Sequence, residues 1–540
     1  MINEIRDIIK SYDNPSARLE ETRSLWRVRL SAVTVKTPNH ILNRMLNEWL
    51  PYQTTVSRLW ARAGFYQAGG AIGFRDQLQD MLVLLDTRPD EVRAHILNCA
   101  AHQFVAGDVM HWWHPPMRGV RTRLTDDRLF LPYITALYIK RSGDLAILNV
   151  KRPFACGLPI PDGKDDLYSE STETGVTEAL HEHCLRALDS IELSERGIPL
   201  IGGGDWNDAL SHVGHNGRGE SVWLGWFYAV CLRIFAEYCD DKTAKRLLDK
   251  SGAIIKSVEE HAWDGDWYRR ATFDDGCPIG SADNRECQID AIAQSWAAIA
   301  GADTSRSIKA VNSAMERLYD ADNGILRLLD PPFATLPTHR AGSEGQNADD
   351  ARNPGYIRGY LPGIRENGGQ YTHGAAWMVM ALAELGDTER AWTLYESLLP
   401  SSHSNTPENA AAYRVEPYVV AADIYTNPQQ YGRGGWTWYT GAAAWMYHIG
   451  LRVLLGFDKD GQRIRLSTSR NGKIALGATV PSGWERYEIV YRYGRATYRL
   501  QARRDQEFIT FDGGVIPKDS EGWVNLIDDG KDHLAVYTLR

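Results

Sequence analysis

The sequence predicts a mainly α chain, an (α/α)6 barrel followed by a small C-terminal β-sandwich. Three observations carry this. Residues 375–383 read Ala-Ala-Trp-Met-Val-Met-Ala-Leu-Ala, apolar on every side, whereas Leu247, Leu248, Ile254, Ile255 and Val258 mark one stripe of a helix whose other face is Lys, Glu and Asp. Enclosed helices alternating with one-sided ones imply two concentric rings, read here as six hairpins. Loops rich in Gly, Asp, Trp, Tyr or His run repeatedly into the apolar helices. After Phe457 the period falls from about 3.6 residues to about 2, with Tyr487, Ile489, Tyr491 and Tyr493 alternating with other residues.

In chain order, residues 1–46 are strongly charged and read as a helical linker region, as in Leu25-Trp26-Arg27-Val28-Arg29-Leu30. Such a helix suits a bed along a neighbouring domain. Residues 47–456 form the barrel: Leu78, Met81, Leu82 and Leu85 keep helical spacing, as do Ala442, Trp445, Met446, Ile449 and Val453. Residues 457–540 form the β-sandwich, with turns at Asn471-Gly472, Asp512-Gly513-Gly514 and Asp529-Gly530. No acid/base constellation is recognisable in that last segment.

Composition narrows the partners. Hydrophobic content of 43% and charged content of 24% allow a large core. The 18 Trp and 25 Tyr suit stacking on sugar rings, although helix packing uses the same side chains. A net charge of −9 with no long basic tract argues against nucleic acid or an anionic membrane as partner. The seven cysteines show no zinc-like spacing and read as reduced core thiols of a cytoplasmic protein; no ligand cluster suggests a metal. The first residues lack an apolar signal core, and no membrane segment is found.

The chemistry centres on Gly202-Gly203-Gly204-Asp205-Trp206-Asn207-Asp208. Three glycines permit a tight loop that presents two carboxylates and an indole together. A partly desolvated carboxyl beside an apolar ring can keep its proton at neutral pH, which makes Asp208 the candidate acid. The plainer alternative is that Asp205 and Asp208 cap turns. Three other loops enter helices: Gly73-Phe74-Arg75-Asp76, Arg365-Glu366-Asn367-Gly368-Gly369-Gln370-Tyr371-Thr372-His373 and Gly435-Trp436-Thr437-Trp438-Tyr439-Thr440-Gly441. Inner helices of a toroid gather their N-termini at one mouth, so groups distant in sequence meet in one funnel, where free N–H groups favour anions. Thr440-Gly441 fits that role. Taken singly, Thr440 reads first as an ordinary N-cap and His373 as a packed or capping histidine, and Arg62 reads also as a surface arginine.

These loops together, with Gly-Phe-Arg-Asp-x-x-Gln-Asp at 73–80, Glu-Asn-Gly-Gly at 366–369 followed by His373, and Trp-x-Trp-x-Thr-Gly at 436–441, resemble the signatures of glycoside hydrolase family 94. Its members are inverting phosphorylases of β-linked glucosides. The stretches 111–116, 220–226 and 415–423 resemble most closely the family's β-1,2-glucan branch, which holds the C-terminal phosphorylase region of cyclic β-1,2-glucan synthases and the 1,2-β-oligoglucan phosphorylases. Two features depart from the pattern: the family's N-terminal β-sandwich is absent, and Gly69-Gly70-Ala71-Ile72 stands where cellobiose and chitobiose phosphorylases carry a Gly-Arg-Gly. The family's Lys beside Glu366 is Arg365, which keeps the charge but changes the geometry.

The resemblance implies that Asp208 protonates the glycosidic oxygen while phosphate attacks the anomeric carbon from the opposite face. It implies that Arg75, Asp76, Asp205 and Trp206 hold the sugar, that Arg365 and Glu366 border the acceptor, and that Arg62, His373, Thr440 and Gly441 cradle phosphate. No cofactor is implied, phosphate being a co-substrate. The implied partners are the oligosaccharide and phosphate, with either a homodimer or inclusion in a larger glucan synthase. Two other readings stay open: an inverting hydrolase with Glu366 as base, and a non-catalytic glucan-binding or length-controlling module of a synthase.

Overall fold

The structure, a computed structural model, describes residues 2–12, 14–334, 352–476 and 480–539. Among these, six helices form a closed circuit: Phe74–Asp80, Phe130–Ser142, Val222–Ala236, Ala291–Ala300, Thr372–Glu384 and Ala442–His448. Each packs against the next and the last against the first. Outside them lie Pro89–Ala100, Leu180–Asp189, Asp241–His261, Thr304–Leu318 and Thr388–Ser397, each against a helix of the circuit, while Leu50–Gln53 packs on Ala442–His448. Periodicity sorts the two sets. Val222–Ala236 is buried on almost every side, whereas Asp241–His261 buries only Leu247, Ser251, Ile254 and Val258, a single stripe. The starts are fixed by Ser221, Asp240, Asp290 and Asp303, whose side chains accept first-turn N–H groups.

Indoles fill the centre of the circuit. Trp377 meets Trp296 edge-on at 5.2 Å and Trp445 at 5.5 Å, and stacks on Trp223 at 5.8 Å. All four are fully buried, so helix packing, rather than sugar stacking, claims a large part of the aromatic content.

Helix makes up about 42% of the chain and strand about 23%, a mixed composition rather than a mainly α one. The extra strands sit largely in the connections leading to inner helices. Ile72–Gly73, Met110–His114, Arg118–Thr122 and Asp166–Glu170 form one small sheet, and Gln370–Tyr371, Ala421–Ile424 and Gly434–Thr437 form another.

Residues 1–46 are not helical throughout. Helices Ile2–Ser11 and Pro15–Leu30 are followed by a strand, Val33–Lys36, which pairs antiparallel with Arg486–Tyr493. Val33 and Val35 are buried, and the Asn47 side chain accepts the Val35 N–H at 2.7 Å and donates to its carbonyl at 2.9 Å, standing in for a second strand. A four-residue alternation beside a charged helix is too short to register as a strand in the sequence.

The C-terminal segment holds two sheets. One runs in the order Val33–Lys36, Arg486–Tyr493, Ala496–Arg503, Asp532–Thr538, Thr510–Phe511, Gly514–Val515; the other is built on Phe457–Asp460, Arg463–Arg470 and Lys473–Leu476. The second is tied to the helices through buried Asp86, which accepts from Arg141 at 2.7 Å and Arg452 at 2.6 Å, while Arg141 lies 3.7 Å from Asp458 on its first strand.

Candidate active site

A cavity of about 420 Å³ opens where the inner helices begin. Strand pairing assembles its walls. Gly73 pairs with Trp112, which sets Arg75 and Asp76 beside His111, and Asp423 pairs with both Tyr371 and Gly435, which brings the Glu366–His373 segment against Trp436–Gly441. Asp208, Asp76, Arg75, Trp206, Arg365, Glu366, His373, Thr440 and Gly441 all line this one space.

The Gly202–Asp208 loop splits its two carboxylates. Gly204 has φ +133°, and a Cβ there would come within 2.7 Å of Leu124, so only glycine lets the chain turn. Asp205 then points inward. It is fully buried, takes both Arg270 guanidinium nitrogens at 2.7 Å, accepts from Ser221 at 2.5 Å and from the Asn207 N–H at 3.0 Å. It does not line the cavity, so its place is beneath the loop and not against a sugar. Burial alone would raise its carboxyl, yet Arg270 holds it below the usual range.

Asp208 points outward and is half-buried. Its Oδ1 accepts from Arg75 Nη2 at 2.6 Å, and its Oδ2 lies 4.0 Å from His111 Nε2. Burial pushes its carboxyl above the ordinary value against the pull of Arg75 and His111, with Asp127 adding to the upward push. That is the direction an acid needs at neutral pH. Arg75 is held by Asp126 at 2.9 Å and Asp127 at 3.4 Å, and donates to the Asp205 carbonyl at 3.2 Å. It therefore fixes Asp208 as much as it faces the cavity. Trp206 rests on the core, edge-on to Tyr371 and His373 and 5.0 Å from Trp377.

His111 belongs to this group, although the sequence drew attention only to the segment around it. Its Nδ1 lies 2.8 Å from Asp127; burial opposes the charged form, but Asp127 and Asp208 push the imidazole up to about 9. Its folded pKa thus exceeds the unfolded value of about 6.5, so its stabilisation is fully present below about 6.5 and lost as pH rises through about 9. Urea midpoints of the wild type should fall between about pH 7 and pH 10, and His111→Gln should lack that part of the fall. Equal falls in both proteins would refute the assignment.

At the opposite end, burial brings His373 down to about 3, so it is neutral, and it lies beside Gly441. Arg365 adopts φ +52°, places its guanidinium 4.2 Å from the Trp436 ring and 5.1 Å from the Tyr360 ring, and reaches Glu366 at 3.3 Å. The backbone N–H of Arg365 donates to Asp423 at 2.8 Å, which supports that bulky left-handed residue.

Arg62 lies outside the cavity lining. The helix ends at Ala61, Arg62 turns left-handed with φ +49°, and its Nε donates to the Gly70 carbonyl at 2.8 Å. Arg58, one helical turn earlier, lines the cavity instead. The four-residue spacing places both arginines on one helix face, and only the break after Ala61 separates them.

A family model described as the glycosyl hydrolase 94 superfamily, catalytic domain, matches residues 25–456. The chain is 43% identical over 503 residues to the cyclic beta-(1,2)-glucan synthase NdvB of Rhizobium meliloti (strain 1021), covering 92% of this chain and 17% of that protein. It is 28% identical to the solabiose phosphorylase of Paenibacillus borealis, covering 90% of this chain and 58% of the relative. It is 27% identical to the N,N'-diacetylchitobiose phosphorylase of Vibrio furnissii, covering 88% and 58%. The chain thus spans less than two thirds of each of these relatives. Among solved structures, a GH78 family rhamnosidase of Bacillus sp. GL1 matches 94% of this chain and 44% of its own with a TM-score of 0.52 at 11% identity, a likeness of fold alone.

Proposed function

The chain belongs to the glycosyl hydrolase 94 superfamily, and from that premise we propose that it transfers glucosyl groups from β-linked glucosides to inorganic phosphate. The preferred donor in this reading is a β-1,2-glucooligosaccharide, and the product is α-glucose 1-phosphate. One observation carries it: a single cavity joins a carboxyl held above its ordinary range, Asp208, to an end lined by Arg58, His373, Thr440 and Gly441 that suits an anion. The circuit of helices supports the (α/α)6 barrel as scaffold, and the two C-terminal sheets support the β-sandwich.

In this reaction Asp208 gives its proton to the glycosidic oxygen as the bond from that oxygen to the anomeric carbon breaks. A phosphate oxygen attacks the same carbon from the opposite face, and β becomes α. The proton brought in on hydrogen phosphate restores Asp208 through solvent, so the alcohol and the sugar phosphate balance the glucoside and phosphate consumed. Trp206 and Asp76 hold the transferred ring, with Arg365 and Glu366 towards the acceptor.

A hydrolase would need a second carboxylate to activate water. Asp76 suits that poorly: burial would raise it, but Arg58 and Arg75 hold it below the usual range. Glu366 is engaged by Arg365. A phosphate dianion needs positioning rather than a base. The β-1,2 preference is supported by the 43% identity to a cyclic beta-(1,2)-glucan synthase.

The test is release of glucose 1-phosphate from linear β-1,2-glucooligosaccharides with and without phosphate, with cellobiose alongside. Phosphate-dependent release from the β-1,2 substrate alone is expected. Free glucose without phosphate would make the chain a hydrolase, and sugar binding without either product would make it a binding module.

A further inference from the structure

We infer that a second cavity, bordering the other end of the Gly202–Asp208 loop, is a binding site for a small phosphorylated sugar, with Arg128 as the seat of its phosphate. It shares no lining residue with the catalytic cavity, and the inference stands apart from the phosphorolytic reading.

This cavity measures about 710 Å³ and is bounded by Arg123 and Arg128, by Lys164, by Gly202 and Gly203, and by His215. The segment 123–128 builds it by facing two ways. Thr125 ties the segment to the loop, its N–H donating to the Gly204 carbonyl at 3.1 Å and its hydroxyl to the Ile201 carbonyl at 3.0 Å. Asp126 and Asp127 turn to Arg75 and His111 on the catalytic side, whereas Arg123 and Arg128 border the second cavity. Arg123 Nε donates to the Lys164 carbonyl at 2.8 Å, which draws the 160–165 connection to the same rim.

Arg128 is a half-buried cation without a counter-ion. No carboxylate among the described residues comes within 4.0 Å of it. Its own bonds, to the Ser190 hydroxyl at 3.2 Å and to the Ser190 and Leu124 carbonyls at 3.5 Å, are long and neutral, and its Nε is buried with no partner among the described residues. The carboxylates whose fields reach it are engaged elsewhere: Asp108 by Arg121 at 2.6 Å, Asp127 by His111 at 2.8 Å and Asp126 by Arg75 at 2.9 Å, which leaves exposed Glu192. Burial therefore pulls its guanidinium below the ordinary range, whereas Arg75 and Arg270, with carboxylates in contact, are raised despite burial. A charge so placed calls for an anion. Arg123 and Lys164 are exposed and likewise have no carboxylate within 4.0 Å among the described residues, so three cations face one space. A phosphate group has oxygens enough to meet a guanidinium fork and an ammonium together. The rest of the lining names the remainder of the ligand. Glu192 and Asn216 offer an acceptor and a donor to hydroxyl groups, and the space exceeds a bare phosphate. No Trp, Tyr or Phe among the described residues lines it, so it lacks the stacking face that a neutral glucan uses.

The experiment is amide hydrogen exchange of the full chain, read segment by segment as glucose 1-phosphate, glucose or inorganic phosphate is added to wild type, Arg128→Gln and Lys164→Glu. Glucose 1-phosphate is expected to slow exchange in 160–165 and 214–217, which do not line the catalytic cavity, at concentrations about tenfold or more below those that glucose or inorganic phosphate requires. Both variants are expected to raise the glucose 1-phosphate midpoint of those segments by about tenfold or more. Lys164→Glu, a change at an exposed position, covers the case in which Arg128→Gln does not fold. Segments 365–373 and 436–441 of the catalytic cavity should respond in the variants as in wild type. Absence of protection in 160–165 and 214–217, protection undiminished in the variants, or equal potency of glucose or inorganic phosphate overturns the assignment, whatever the catalytic segments do. Protection confined to 160–165 and 214–217 would count against the phosphorolytic reading while supporting this site.

Discussion

Asp208→Asn is expected to slow phosphorolysis by about 10³-fold while oligosaccharide binding stays within a few-fold of wild type. The amide keeps the shape of the side chain, and its oxygen still accepts from Arg75, which lies 2.6 Å from Asp208 Oδ1. What it removes is the transferable proton. The loss should depend on the leaving group: a dinitrophenyl β-glucoside, whose departing phenolate needs no proton, should be affected far less than a β-1,2-linked disaccharide. Initial rates on both substrates, with a binding titration of the oligosaccharide, decide it. Wild-type-like turnover of the disaccharide would remove Asp208 from the acid's role, and an equal loss on both substrates would point to a misplaced loop.

Arg270→Met is expected to destabilise the fold by about 3–5 kcal/mol. Arg270 and Asp205 are each wholly buried, and Arg270 also lies 3.5 Å from Asp290, so the substitution strands two carboxylates in the core. Burial already pushes Asp290 up to about 6 with Arg270 present, which marks how poorly the site tolerates unpaired charge. Since Asp205 anchors the loop whose far end is Asp208, activity should fall at temperatures where the variant is still folded. Urea unfolding at neutral pH measures the effect. A loss below about 1 kcal/mol would mean that the surrounding helices, and not this pair, hold the loop.

Much of the site could be read from the chain because its residues lie in loops that enter inner helices, and a ring of such helices brings those loops together. Asp76, Trp206, Asp208, His373 and Thr440 meet for that reason. The pattern failed where the deciding feature was a single backbone turn. Asp205 and Asp208 sit three residues apart in one glycine-rich loop, and nothing in composition tells that one faces Arg270 and the other the cavity. Arg58 and Arg62 share a helix face until the chain leaves the helix at Ala61. His111 lies on a five-residue strand within a long connection, where aromatic neighbours hide the alternation. Arg75 was expected, from the resemblance alone, to hold the sugar; its ties to Asp126 and Asp127 bring together segments about fifty residues apart that no local pattern links.

The pairing of Val33–Lys36 with Arg486–Tyr493 has a practical meaning for anyone who would cut the molecule into parts. Hydropathy alone invites a fragment starting near residue 47, where the helical repeat begins. Such a cut strips the outermost strand from a sheet and bares a row of backbone donors and acceptors, flanked by Tyr487, Ile489 and Tyr491, to any extended segment that drifts past. A fragment meant to stay monomeric should therefore retain the chain from before Val33, since those four residues act as the selvedge that keeps this sheet from knitting onto another copy.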